Sequence, residues 1–233
     1  MALMHKMDPM ENQGALSDES KGLPFGELIR DYEPGPETKW RFGKPNYARV
    51  NKAYFANRVK THKDGSLEAI VSRIIKNWEV ESHNISDVNQ WKTMDVSKFT
   101  AQLNGGEKVN AQLMCDVGRY NMLVGETPDY SAALQTFESS NSIFSSAMPH
   151  GFAFEVLEVL SGPPTVTFKW RHFGAYSGEY TDKHGVKHKG NGEIINVVGM
   201  CIAQVNDKLI IESLDVYYSP DDMIKPLVTK TKA

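Results

Sequence analysis

Two residues stand out for the company they keep. Asp215 falls in the run Leu209-Ile210-Ile211-Glu212-Ser213-Leu214-Asp215-Val216-Tyr217-Tyr218. Read with period two, it shares a face with Leu209, Ile211, Ser213 and Tyr217. The opposite face, Ile210, Leu214, Val216 and Tyr218, is equally apolar, so which of the two is inner stays open. A carboxylate on an apolar face is costly unless it is paired or hydrogen-bonded. Burial there raises its pKa toward the range in which a general base works. His172 lies in Thr165-Val166-Thr167-Phe168-Lys169-Trp170-Arg171-His172 and shares a face with Val166, Phe168 and Trp170. It is either a satisfied core histidine, or an acid–base partner or a donor to a ligand oxygen. Thr165, Thr167, Lys169 and Arg171 form the wet face of the same run. Phe168, Trp170, Tyr176 and Tyr217 are the aromatic candidates for ligand contact, since packing and ligand contact coincide in strands that line a pocket.

Other chemistry finds little support. His184 and His188 stand four apart, but Gly185 and Gly190 place them in a loop, and no metal site is expected. Gly105-Gly106 lacks the lysine and serine of a phosphate loop, and no dinucleotide fingerprint is present, so no cofactor is expected. Cys115 and Cys201 read as separate, buried, reduced thiols. The formal net charge of -3 gives no basic field for nucleic acid. No apolar run is long enough to cross a bilayer, and the N-terminus carries no signal-like core. The expectation is a cytoplasmic protein with no nucleic-acid or membrane partner.

The elements that must position these residues are legible in outline. Apolar alternation predicts strands over 152–160, 165–174, 193–205 and 209–218. Asn206-Asp207 suits a tight hairpin, and the glycine-rich segment 177–192 reads as a mobile loop. Upstream, Leu67, Ile70, Val71, Ile74, Ile75 and Trp78 recur at helical spacing behind Ser66, predicting an N-capped amphipathic helix to about His83. A second helix is predicted over 107–120, a third from Phe137 to Pro149, and a short last one from Ser219-Pro220. Helices first and strands last is an α+β order. The chain divides into a polar tail (1–24), an arm rich in aromatics (25–65), an α+β domain (66–227) and a short tail (228–233). The arm carries Trp40, Phe42, Tyr47, Tyr54 and Phe55 and one helix over 47–59.

The run from Phe152-Ala153-Phe154-Glu155-Val156 through Gly162-Pro163-Pro164 to Phe168-Lys169-Trp170-Arg171-His172-Phe173-Gly174 resembles the plant-type pathogen-related proteins. Trp40, Pro45-Asn46-Tyr47 and Asn206-Asp207-Lys208-Leu209 extend the likeness. That family is similar to the SnoaL-like polyketide cyclases of the nuclear-transport-factor-like superfamily. The resemblance implies a cone-shaped curved antiparallel sheet packed on N-terminal helices, with a pocket inside. It also implies an acidic base on the last strand, in the region of Asp215. Relatives of this fold, such as ketosteroid isomerase and scytalone dehydratase, do acid–base chemistry without metal or cofactor, and others only bind.

Three functions follow as expectations: a defence-associated protein that binds an apolar small molecule, a cofactor-independent isomerase, cyclase or dehydratase using Asp215 and His172, or a non-catalytic interaction protein. Apolar character on both faces of the last two strands adds the expectation of a homodimer through the sheet, unless the arm covers that surface.

Overall fold

The computed structural model describes residues 30–229. The tail expected over 1–24, the start of the arm and residues 230–233 lie outside the described residues. Helices α1 (Ala48–Asn57) and α2 (Leu67–Asn84) come first. Then follow β1 (Thr100–Leu103), β2 (Val109–Asn110), α3 (Ala111–Val117), α4 (Arg119–Val124) and α5 (Phe137–Ala147). The strand-rich half comprises β3 (Ala153–Ser161), β4 (Thr165–Ala175), β5 (Glu179–Thr181), β6 (Lys187–Lys189), β7 (Ile194–Val205) and β8 (Ile211–Tyr217), and α6 (Pro220–Val228) closes it. Six strands form one sheet in the order β2-β1-β8-β7-β4-β3. Among the described residues, only the β1–β8 strand pair of this sheet is parallel. The fold class is α+β, with α2 and α4 laid across one face of an antiparallel-dominated sheet.

Helix α2 forms as its spacing predicts. Ser66 caps it by accepting from the Ala69 N–H at 3.2 Å. Val71, Ile75 and Trp78 are buried against the sheet, while Ile70 and Ile74 are half-buried. On the other face of the sheet, Tyr54 of α1 packs on Ala153 and Phe173. The arm therefore covers one edge of the outer face. Beneath it lies a buried ion pair, Arg171–Glu155 at 2.9 Å. Glu155 also accepts the Val59 and Lys60 backbone N–H groups, both at 2.7 Å, and Arg171 donates to the Asn57 carbonyl at 2.6 Å.

Four expectations are corrected. The helix over 107–120 is two helices, because Gly118 takes φ 86° and packs under the Phe137 ring, where a Cβ would come within 2.9 Å. The strands are joined by β1, a four-residue run too short to show alternation, which extends the sheet beyond β8. Segment 177–192 is an anchored hairpin, β5–β6, and not a mobile loop. Tyr180 is fully buried with its hydroxyl on the Asp129 carbonyl, and Asp182 gathers the His184 and Val186 N–H groups and the His188 ring. The turn between β7 and β8 spans 206–210; the Asn206 side chain closes it by accepting from Lys208 and Ile210, and Leu209 rather than Asn206 or Asp207 takes a positive φ, 60°.

Candidate functional site

Between α2, α4 and the inner face of the sheet lies a cavity of about 100 Å³. Phe152 and Phe154 wall one side, and Phe168, Trp170 and His172 of β4 form the floor. Val197 and Cys201 of β7 and Leu214, Val216 and Tyr218 at the β8 end continue it. Ile75, Trp78 and Glu79 of α2, then Arg119, Tyr120, Leu123 and Val124 of α4, close the roof, with Met223 at one end. Each position has a local cause. Alternation along β4 sends Val166, Phe168, Trp170 and His172 inward. Gly199 on β7 leaves room for the Trp170 indole, since a Cβ there would stand 2.3 Å from Cζ2. Glu79 follows Ile75 by four residues and so continues its stripe into the cavity.

The polar groups concentrate on one wall. Arg119 stands 3.5 Å and Arg30 3.8 Å from the Glu79 carboxylate. Burial alone would raise the Glu79 pKa, but Arg119, Lys76 and Arg30 together outweigh it and hold the carboxyl below its usual range. Burial lowers the His172 pKa from 6.5 to about 4, against the pull of Glu79 and with the help of Arg119 and Lys76. His172 is therefore neutral at pH 7, in contact with Phe152 at a ring separation of 3.9 Å. Burial also lifts the Tyr120 hydroxyl to about 12. The Tyr218 hydroxyl, likewise raised by burial, is engaged by the Leu123 carbonyl. Burial keeps the Cys201 thiol protonated, far above its ordinary value. Just behind this wall His83 is held neutral, its pKa lowered to about 3 by burial and by Arg119. Among the described residues no group of three or more His, Cys, Asp or Glu could hold a metal ion.

No family model matches the chain. Its sequence is 31% identical over 220 residues to the pathogen-related protein of Hordeum vulgare, spanning 89% of this chain and 91% of that one. The chain belongs to the pathogen-related protein family. Solved structures align more distantly. One is a protein assigned as a SnoaL-like polyketide cyclase from Jannaschia Sp. CCS1, with a TM-score of 0.38 and 11% identity over 74% of this chain and 99% of that one. Another is a protein with a ketosteroid isomerase-like fold from Catenulispora acidiphila, also with a TM-score of 0.38 and 11% identity, over 67% of this chain and 93% of that one.

In this pathogen-related protein the structure brings Phe168, Trp170 and His172 together on the cavity and separates them from the other candidates. Asp215 is half-buried on the opposite face of the sheet, paired in register with Gln102 and Ile202, and does not line the cavity. The reason is an irregularity in β8: Val205 pairs with Ile211 and Gln204 with Ser213, so Glu212 is an extra residue. It reverses the alternation, turning Leu214 and Val216 inward and Asp215 outward. Tyr217 follows Asp215 to the outer face. Tyr176 is buried away from the cavity, its hydroxyl shared between the His188 and Leu227 carbonyls. The charged residues on the cavity that sequence reasoning missed are Glu79 and Arg119. Glu79 carried a signal, a carboxylate on the helical stripe of Ile75. Arg119 carried none, because Gly118 interrupts the period before it.

Proposed function

We propose that this protein binds a small apolar molecule in the cavity, in the context of the pathogen response that its barley relative's name denotes, and that it does so in the cytoplasm. The observation that carries the reading is an apolar cavity walled by Phe152, Phe154, Phe168 and Trp170 within the hydrophobic core. A pure interaction protein has no need of that space.

Binding is favoured over catalysis by the protonation states. A general acid–base catalyst works best with a pKa near the working pH. His172 sits near 4 and Glu79 below its ordinary value, so neither is poised to exchange a proton at pH 7. Asp215, the other candidate base, is on the wrong face. Among the described residues no helix is long and apolar enough to cross a membrane. The test is mass spectrometry of small molecules released from natively purified protein, followed by NMR titration with ring-sized apolar probes. An apolar compound that co-purifies, or probe-induced shifts of cavity residues, is the expected result. Absence of both would overturn the reading.

A further inference from the structure

We infer that the ligand of this cavity is a neutral, ring-sized carbonyl compound whose oxygen is met by the Trp170 indole N–H and the Arg119 Nε–H. This rests on the proposed binding role and adds the chemical class. Trp170 is 5% exposed and lines the cavity, yet no group among the described residues accepts its Nε1–H. The Cys201 sulfur beside it is only a weak acceptor, and its contact with the indole falls short of a well-formed hydrogen bond. Arg119 lines the same cavity, and its Nε is likewise without a partner. Arg41 and Arg171 also leave Nε unbonded, but neither lines the cavity. A buried indole N–H ordinarily finds an acceptor.

The unmet demand is thus for an acceptor, and the rest of the wall defines which kind. A carbonyl oxygen brings lone pairs and no donor of its own. A carboxylate would stand beside Glu79, and like charges at close range repel. Among the residues that line the cavity, Arg119 is paired with Glu79 and His172 is neutral at pH 7; Arg30 and Lys76, the other cations near Glu79, do not line it. Size sets the rest. The cavity of about 100 Å³ is smaller than the roughly 150 Å³ apolar cavity that takes benzene. Five- or six-membered rings are therefore the upper limit without movement of the walls.

The experiment is an NMR titration of the full chain with cyclopentanone and with methylenecyclopentane, which replaces C=O by C=CH₂ at nearly the same shape. The ketone is expected to bind about 10-fold more tightly, the worth of one good hydrogen bond in a closed site. It should also move the Trp170 Nε1–H resonance downfield, whereas the alkene should not. Trp170→Phe keeps an aromatic wall and should reduce the preference to near unity. Arg119→Lys keeps the cation beside Glu79, removes Nε–H and should reduce the preference in part. Equal affinity for the two probes, with the indole resonance unmoved by the ketone, overturns the carbonyl assignment and leaves apolar binding standing. Binding of neither probe overturns both. Should Trp170→Phe fail to fold, the wild-type preference, the indole resonance and Arg119→Lys still decide.

Discussion

The two faces of this sheet each hold an arginine–glutamate pair, and the pairs are built differently. On the outer face Glu155, 1% exposed, meets Arg171 at 2.9 Å and accepts two backbone N–H groups from the connector after α1. Arg171 lies over the Phe173 ring and donates to the Asn57 carbonyl. On the inner face Glu79 and Arg119 are 12% and 17% exposed and stand 3.5 Å apart, with Arg30 farther still. The first pair fastens the arm to β3 and β4, and its partners converge from three segments. The second borders open space, and its separations are loose. A buried charge is tolerated when its surroundings complete it, and how fully they do so separates a fastening from a site.

The largest effect should come from breaking the tight pair. Glu155→Ala strands Arg171 under the arm and removes the acceptor of two N–H groups, a loss of about 3–5 kcal/mol. Glu79→Gln keeps shape and hydrogen-bonding capacity in a looser setting, and about 1 kcal/mol is expected. Urea denaturation of both variants measures the difference. Equal losses would erase the distinction drawn between the two faces.

The pH dependence sharpens it from the inner side. His172 and His83 have ordinary values of 6.5 and folded values of about 4 and about 3. Between 6.5 and those values the unfolded chain binds protons that the folded chain refuses. Stability is therefore full above pH 6.5 and falls as pH drops toward 4, by up to about 1.4 kcal/mol per pH unit for each histidine. Glu79, whose folded value is depressed, adds its own loss below about 4.5. His172 faces Glu79, Arg119 and Lys76, so His172→Gln should remove one histidine's share of the slope between pH 6.5 and 4. An unchanged slope in that variant would show that His172 already takes a proton in the folded state.

The wall from Val166 to His172 was readable because an eleven-residue strand shows its period, and α2 was readable because six apolar residues recur at helical spacing. The face of Asp215 was not. A single extra residue at Glu212 reverses every position after it, and nothing in the residue types of Glu212-Ser213-Leu214 marks a bulge. The anchoring of β5–β6 was hidden for another reason. Its core contribution is one residue, Tyr180, inside a polar and glycine-rich segment, and composition averages that away. The polar wall depends on α2 meeting α4, which starts only after Gly118 ends α3, a tertiary fact that no local pattern contains.

The smallest effect on stability concerns the part of the outer face that the arm leaves open. Tyr54 covers Ala153 and Phe173 near the β3 edge, but on β7 Ile194 and Val198 remain 41% and 55% exposed. Met200 and Ile202 of β7 and Tyr217 of β8 are half-buried on the same face. We expect this strip to join two copies of the chain, since a C2 interface repeats one apolar patch on both partners. Val198→Glu should change the stability of the isolated fold by no more than about 0.5 kcal/mol, as surface substitutions usually do. It should nonetheless shift the mass measured by light scattering at micromolar concentration from dimer to monomer. A wild-type chain that is already a monomer under those conditions would show that the arm alone suffices to cover the outer face, and the contrast between the two faces would then belong wholly to the single chain.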